Sequence, residues 1–276
     1  MSDLTYRQIK DDFVKAFIWI SALITVGVLA WILIHVITNG ISEISWSFLT
    51  NEAKGDHAGI FPMIINTLYI ILLSIVISAP IGICSAIYLV EYAKPSRTIR
   101  IIRFATESLA AIPSIIYGLF GMIFFVIVLK LNFSILSGAI TLSMMVLPTI
   151  IRTTEEALKS IPTSYREGSL ALGASKLRTI FNIILPSAMP GIITAIILSI
   201  GRIVGETAAL YLTAGMVPRI AGSIMDSGRT LSVHLYILAK EGISFERADA
   251  TALVLIFIVS IINFIANKAA SKLRRI

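Results

Sequence analysis

Apolar residues in this chain occur in long blocks that are separated by shorter polar segments, and they do not alternate with polar residues. A helix needs about 20 apolar residues to cross the hydrocarbon core of a bilayer. The pattern therefore predicts an all-α integral membrane protein with six transmembrane helices in a single domain. The predicted spans are residues 14–38, 60–90, 104–129, 131–151, 183–217 and 251–266.

Composition agrees with this class, because 57% of the residues are hydrophobic and only 14% are charged, whereas about a quarter of a typical soluble domain is charged. Most lysine and arginine residues lie near the two termini, between the second and third spans, or between the fourth and fifth. Six spans place all these segments on one side, and the positive-inside rule makes that side cytoplasmic. The formal net charge of +7 thus reflects topology and does not indicate nucleic-acid binding.

Residues for metal or nucleotide chemistry form no pattern along the chain. His35, His57 and His234 are scattered and lack the spacing of metal ligands. The G-x-x-x-x-G-K-[ST] phosphate loop of ATP-hydrolysing proteins does not occur. We therefore expect a protein that is not an enzyme, binds no metal or cofactor of its own, and does not hydrolyse ATP.

Two charged residues, Arg202 and Glu206, lie inside the long apolar block 183–217. Such charges are costly in a membrane and are usually functional, and residues four apart share one helix face. Arg202 follows Pro186 by about 24 Å of helix, which places it past the bilayer middle, toward the outer face. As a hypothesis, the two residues pair when a transport pathway is empty and separate when an anion arrives; a permanent ion pair is the alternative.

Pro113 lies inside the third predicted span, where a proline removes a backbone hydrogen bond and kinks the helix. Kinked helices often line transport pathways, so we place Pro113 and the nearby Tyr117 in the substrate pathway. Four glycines in the third and fifth spans are candidates for close helix packing instead. They are Gly118, Gly121, Gly201 and Gly205.

The polar segment 152–182, on the predicted cytoplasmic side, keeps a helical pattern. A helix over 165–172, capped by Thr163 or Ser164 and stopped by Gly173, fits its residues. A short and partly apolar helix between two spans needs a surface to pack against. Either lipid headgroups or a groove in a soluble partner would provide one.

The same segment resembles the EAA loop of ABC importer permeases. That family's pattern is Glu-Ala-Ala, three residues, Gly, nine residues and Ile-x-Leu-Pro, and its spacing matches here from Glu167 through Gly173 to 183–186 (IILP). Two small residues replace the alanines. In the family this loop is the coupling helix that seats in an ATPase subunit. The resemblance implies a coupling surface formed by Arg166, Glu167, Gly168, Ser169 and Gly173.

Two further stretches are similar to the PstA-type subunits of phosphate ABC importers. Residues 109–121 (LAAIPSIIYGLFG) match a phosphate-permease signature with Ala111 in place of glycine, and residues 202–214 (RIVGETAALYLTA) match another with Ala209 in place of proline. The resemblance implies a type I importer permease in the plasma membrane of a bacterium or archaeon. Its implied substrate is inorganic phosphate.

The resemblance also implies partners. These are a homologous PstC-type permease, two PstB-type ATP-binding subunits that use the ATP, and an external PstS-type phosphate-binding protein. Membrane lipid is expected around this chain. Two other interpretations stay open on the residues themselves. One is a permease for another oxyanion, such as sulfate or molybdate, and the other is a channel or scaffold without an ATPase.

Overall fold

The computed structural model describes residues 2–53 and 59–273, and this part of the chain is helical and contains no β-strand. Helices α3, α5 and α8 each pass directly into a π-helical turn, at 88–92, 122–128 and 180–184. The helices are α1 (Ser2–Gly40), α2 (Trp46–Thr50), α3 (Phe61–Ile87), α4 (Arg97–Ala110), α5 (Ser114–Gly121), α6 (Ile135–Lys159), α7 (Thr163–Ala171), α8 (Lys176–Thr179), α9 (Leu185–Gly205), α10 (Ala208–Thr213), α11 (Leu231–Lys240) and α12 (Phe245–Leu273).

The expected all-α membrane architecture is confirmed. Five helical segments among the described residues are long and apolar enough to cross a bilayer, and a bent helix pair makes a sixth when it is counted as one span. The five segments are Lys10–Glu43, Phe61–Tyr92, Ile135–Lys159, Lys176–Gly205 and Phe245–Lys268.

The predicted third span, 104–129, is not one kinked helix. Helix α4 ends at Ala110, a new helix starts at Ser114, and the axes of the two differ by 100°. Pro113 has extended backbone angles (φ −59°, ψ 141°) and stands immediately before α5. It therefore separates two helices, because proline cannot continue the hydrogen-bond ladder and restricts the residue before it to extended conformations.

Two other predicted boundaries also differ. The predicted fifth span, 183–217, stops being a continuous helix at Gly205, and only the short α10 follows within it. The predicted fourth span, 131–151, starts at Ile135 and continues to Lys159. Residues 152–159 of the predicted cytoplasmic loop therefore belong to the end of a membrane helix.

The core forms where α6 packs between α3 and α9. Buried hydroxyl groups join α3 to α6: Ser143 Oγ donates to the carbonyl of Ser74 at 3.0 Å, and Ser74 Oγ donates to the carbonyl of Ala139 at 3.3 Å. Hydrogen bonds of this kind stabilise helix contacts in a membrane, where packing lacks a water-driven hydrophobic force. Helix α1, in contrast, packs against α12, and its apolar membrane segment is not buried by the described part of the chain.

Asn66, which is fully buried near the N-terminal end of α3, organises the loop between α10 and α11. Its amide nitrogen donates to the carbonyls of Arg219 and Arg229, at 2.8 and 3.2 Å, and its carbonyl accepts from the amide of Ala221 at 3.0 Å. The neighbouring Thr67 Oγ1 accepts from the amide of Leu231 at 3.0 Å. The start of α11 is thereby fixed to α3.

Candidate functional site

The interruption between helices α9 and α10 lies in the membrane region and is held by specific hydrogen bonds. Helix α9 ends at Gly205, and Glu206 has an extended backbone (φ −76°, ψ 125°). Glu206 Oε1 accepts a hydrogen bond from the amide of Ala209 at 3.2 Å, in the first turn of α10. The Ser232 hydroxyl donates to the Glu206 carbonyl at 2.7 Å. The break is therefore capped by its own carboxylate and fastened to α11.

Arg202 lies in the last turn of α9 and is partly exposed. The expected ion pair with Glu206 does not form. Among the described residues, no carboxylate oxygen lies within 4.0 Å of the Arg202 guanidinium. The reason is local: the helix ends between the two residues, so they do not reach the side-by-side geometry of helical positions four apart. Within the described residues, Arg202 forms neither an ion pair nor a hydrogen bond, and it remains a cation that faces an open surface.

Two of the four candidate packing glycines, Gly201 and Gly205, share that open surface. A Cβ atom built on either would meet nothing within 4 Å among the described residues, and both positions are exposed. The expected packing against another helix is therefore not made within this chain. Arg202 and the two glycines instead form one unoccupied stretch of α9.

The other two glycines lie in close contacts inside the chain. A Cβ atom on Gly118 would come 2.8 Å from Ala209 Cα, and one on Gly121 would collide with Thr141 and Thr213. Helices α5 and α10 therefore approach each other closely, because glycine has no side chain at these two positions. Ala209, which stands in place of the family's proline, belongs to this contact.

Tyr117 closes the bend between α4 and α5. Its ring is buried, at 4% exposure, and its hydroxyl donates to the carbonyl of Leu109 at 2.8 Å. In a continuous helix that carbonyl would accept from residue 113, but Pro113 has no N–H group. In this structure the carbonyl accepts from the amide of Ile112 at 3.2 Å as well as from the Tyr117 hydroxyl. Tyr117 therefore stabilises the bend at Pro113, whereas Arg202 lies at a different interruption, between α9 and α10.

At the end of the molecule where α7 lies, Arg166 connects α7 to two membrane helices. Its guanidinium forms an ion pair with Glu91 at 2.9 Å, just beyond α3. It also donates to the carbonyls of Leu158 and Ile161, at 2.9 and 3.0 Å, at the end of α6. Sequence reasoning missed Glu91 as a functional residue; its signal is an acidic residue that opens the basic segment 91–103.

Helix α8 is attached at the same point. Lys176 donates to the Glu91 carbonyl and lies 4.5 Å from the centre of the Tyr92 ring. Ser169 of α7 is buried, and its hydroxyl pairs with that of Thr179 at 2.9 Å. Both short helices are therefore connected to the C-terminal end of α3.

Helix α7 occupies nearly the predicted range, with a different start. Pro162 precedes it, and its cap makes no side-chain hydrogen bond, so the cap expected at Thr163 or Ser164 is wrong. The expected end at Gly173 is confirmed, because its φ of +84° belongs to the left-handed region that glycine adopts readily. Glu167 and Gly168 are exposed, and Leu172, next to Gly173, is 90% exposed. The outward face of α7 is thus bare and partly apolar.

Solved structures with the same fold are transmembrane subunits of ABC importers. A chain of a bacterial alginate ABC transporter superposes with a TM-score of 0.71 at 16% identity, and 97% of each chain is covered. A chain of the MetNI methionine ABC transporter in an inward-facing conformation gives 0.61 at 21% identity, covering 78% of this chain and 94% of the other. The fold is that of a type I ABC importer permease.

Residues 78–273 match the family model of the binding-protein-dependent transport system inner membrane component. This chain belongs to that family, and is a multi-pass membrane component of a transporter. The probable ABC transporter permease protein YqgI of Bacillus subtilis (strain 168) is 32% identical over 95% of both chains. The phosphate transport system permease protein PstA 1 of Mycobacterium tuberculosis (strain H37Rv) is 33% identical over 94% of this chain and 87% of its own. The resemblance to PstA-type permeases is confirmed.

Proposed function

We propose that this chain is the PstA-type permease subunit of an ATP-driven inorganic phosphate importer. The observation that carries the substrate assignment is Arg202, a cation beside a helix break within the membrane and without an acidic partner among the described residues. A charge at such a position needs a water-filled cavity or a counter-ion. The planar guanidinium suits phosphate because it forms paired, charge-assisted hydrogen bonds.

The partners follow from the family and from the bare surfaces of the chain. A homologous PstC-type permease covers the open stretch of α9 and completes the pathway around Arg202. Two PstB-type subunits hydrolyse the ATP, and one of them receives the outward face of α7. An external PstS-type protein delivers phosphate from the side opposite the cytoplasmic termini. This chain contributes no cofactor and no covalent chemistry.

Motion of the ATPase subunits reaches the membrane through Arg166. When ATP closes the motor and displaces α7, the guanidinium pulls at Glu91 beyond α3 and at the last carbonyls of α6. Those two helices pack against each other and form the core with α9. The α9–α10 break then opens to the outside, phosphate replaces water at Arg202, and ATP hydrolysis resets the path.

The substrate is tested by ATP-dependent uptake of labelled phosphate into vesicles that contain the complete complex, with sulfate and molybdate in excess. We expect uptake that requires ATP and resists both competitors. Efficient competition by either ion, with an assembled and ATP-hydrolysing complex, would move the substrate to another oxyanion. Failure of the chain to purify with any ATPase would favour a channel or scaffold.

Arg202 is tested in the same vesicles. Arg202→Gln should lower phosphate uptake by about tenfold to a hundredfold, since it removes a charged hydrogen bond worth about 1.5–3 kcal/mol. Arg202→Lys should give an intermediate rate, because it keeps the charge and loses the planar fork. Arg219→Gln, at an exposed arginine of the outer loop, is the matched control. Normal uptake by an assembled Arg202→Gln complex would contradict the assignment.

A further inference from the structure

Helix α4 has two opposite faces of different chemistry. At 3.6 residues per turn, Ile101, Ala105 and Leu109 form an apolar stripe. Arg100, Arg103 and Glu107 lie on the other side of the helix, and Arg97 stands at the edge between the two faces. A helix with these faces suits the boundary between water and an apolar phase.

The orientation of α4 follows from the bend that precedes α5. The segment Ser114–Val128 is the part of the pair that continues into the apolar core of the protein, and its axis makes an angle of 100° with that of α4. Membrane helices tilt from the bilayer normal by about 20° on average. Helix α4 therefore lies close to the plane of the membrane.

The depth of α4 is fixed by its contact with α6. Arg103 forms an ion pair with Glu155 at 2.7 Å, and Glu155 also pairs with Lys159 at 2.7 Å. This last part of α6 is charged and leads to α7, so it lies at the cytoplasmic surface. The polar face of α4 is consequently held at the level where the hydrocarbon ends.

The rest of α4 has no partner within the described part of the chain. Along the apolar stripe, Ile101 is 65% exposed and Leu109 is 41% exposed. Phe104, which lies between Arg97 and Arg100 around the helix, is 69% exposed. The arginines at 97 and 100 are also exposed and form neither an ion pair nor a hydrogen bond with any described residue. They line a shallow groove with Ser96 and Arg103.

We propose that α4 is an in-plane anchor that binds the anionic phospholipid surface of the cytoplasmic leaflet. The apolar stripe enters the boundary of the acyl chains, while Arg97 and Arg100 bind headgroup phosphates. The apolar stripe and the arginines together identify an anionic lipid surface as the ligand. A free anion would leave the apolar stripe in water, and a neutral bilayer would leave the arginines without a counter-charge. The cytoplasmic leaflet supplies anionic lipid on the side where α4 lies.

The lipid-bound helix α4 keeps its position relative to the membrane while other helices move during the transport cycle. Arg103 ties the lipid-bound helix to Glu155 of α6, four residues before the end of that helix. The following helix, α7, is the one that receives motion from the ATPase in the proposed function. The lipid-binding proposal itself depends on the membrane topology and not on the identity of the transported anion.

Depth measurements on the full complex in vesicles test the orientation. Single cysteines are introduced at Ile101 and at Arg100 in a Cys84→Ser background, in which this chain has no other cysteine, with partner subunits whose cysteines are replaced, and are labelled with a fluorophore. We expect a label at position 101 to be quenched by acyl-chain nitroxide lipids and a label at position 100 by aqueous iodide. A label at position 101 that iodide quenches, or that neither reagent reaches, would overturn the proposal, because water or a protein would then cover the stripe.

Lipid selectivity tests the charge. Complexes are inserted into nanodiscs of mixed phosphatidylglycerol and phosphatidylcholine, and the retained lipids are counted by native mass spectrometry. Each of Arg97→Gln and Arg100→Gln should lower the preference for phosphatidylglycerol, by on the order of fivefold per residue. The corresponding lysine variants should retain it, and Lys130→Gln with Arg219→Gln is the charge-matched control. An unchanged preference in the double glutamine variant would overturn the proposal.

Discussion

Glu206 and Arg202 are neighbours in sequence with different tasks. The carboxylate of Glu206 accepts a hydrogen bond from the amide of Ala209, whereas the guanidinium of Arg202 meets no acidic side chain among the described residues. A carboxylate at the start of a helix also interacts favourably with the helix dipole. Glu206 therefore stabilises the break that leaves Arg202 exposed, and it does not neutralise that arginine.

Substitution at Glu206 separates these tasks. Glu206→Gln retains an oxygen that accepts from the Ala209 amide, so we expect near-normal thermal stability and uptake. Glu206→Ala removes the cap and should lower the stability of the complex by about 1 kcal/mol, the typical cost of losing a helix cap. Thermal unfolding and phosphate uptake are measured together. If glutamine abolished uptake as fully as alanine, the charge of Glu206 would matter directly, as in the hypothesis of a closing ion pair.

Tyr117 makes a second prediction at the residue scale. Tyr117→Phe removes the hydrogen bond to the Leu109 carbonyl and should destabilise the complex by about 1 kcal/mol, the net value of a typical hydrogen bond in a protein. Tyr69→Phe, at an exposed tyrosine of α3, is the control. A Tyr117→Phe complex that melts like the control would show that the bend does not depend on this hydroxyl.

At the scale of elements, α7 is attached to the membrane helices through one strongly connected side chain. Arg166 is 20% exposed and Glu91 is 8% exposed, whereas the neighbouring pair of Arg152 and Glu156 on α6 is 70% and 65% exposed. Partly buried ion pairs are screened less by salt than exposed ones. The pair of Arg166 and Glu91 can therefore transmit motion between α7 and the end of α3. The exposed pair of Arg152 and Glu156 is the control.

A double-mutant cycle measures this connection. Arg166→Gln and Glu91→Gln should each reduce the phosphate transported per ATP hydrolysed, and the double variant should be no worse than the more damaged single one. The stability coupling should be roughly 1–3 kcal/mol, within the range for contacting residues. The Arg152→Gln and Glu156→Gln cycle should give less than about 0.5 kcal/mol. Equal couplings in both cycles would remove the special position of Arg166.

The spans could be predicted from the sequence more readily than their interruptions. A helix that crosses a bilayer must be long and apolar regardless of which helices pack against it. The hydrophobic blocks therefore predict the spans at α1, α3, α6 and α12. The interruption after Ala110 has a local signal in Pro113, but the end at Gly205 depends on a partner far away in sequence, Ser232, which donates a hydrogen bond to the Glu206 carbonyl. The sequence identifies Arg202 as a charge that is costly in a membrane. It does not reveal the helix end at Gly205, which separates Arg202 from Glu206.

At the scale of the whole molecule, the chain has one well-packed side and one open side. Gly118 and Gly121 allow α5 to approach the rest of the protein closely, while Gly201 and Gly205 meet nothing within the described chain. The surface around Arg202 is therefore available to another subunit. In the proposed importer, the homologous permease approaches there, and the pathway forms between the two.

The two glycine pairs give a matched test of this arrangement. Gly201→Leu and Gly205→Leu should leave the folding of this chain unchanged, since each added side chain extends into open space, but should reduce co-purification with the partner permease. Gly118→Leu should destabilise the chain itself, because its side chain would collide with the backbone of Ala209. Protease resistance of the single chain and subunit recovery after affinity purification distinguish the two effects. Full assembly and normal uptake by the double variant of 201 and 205 would place the partner permease on a different surface.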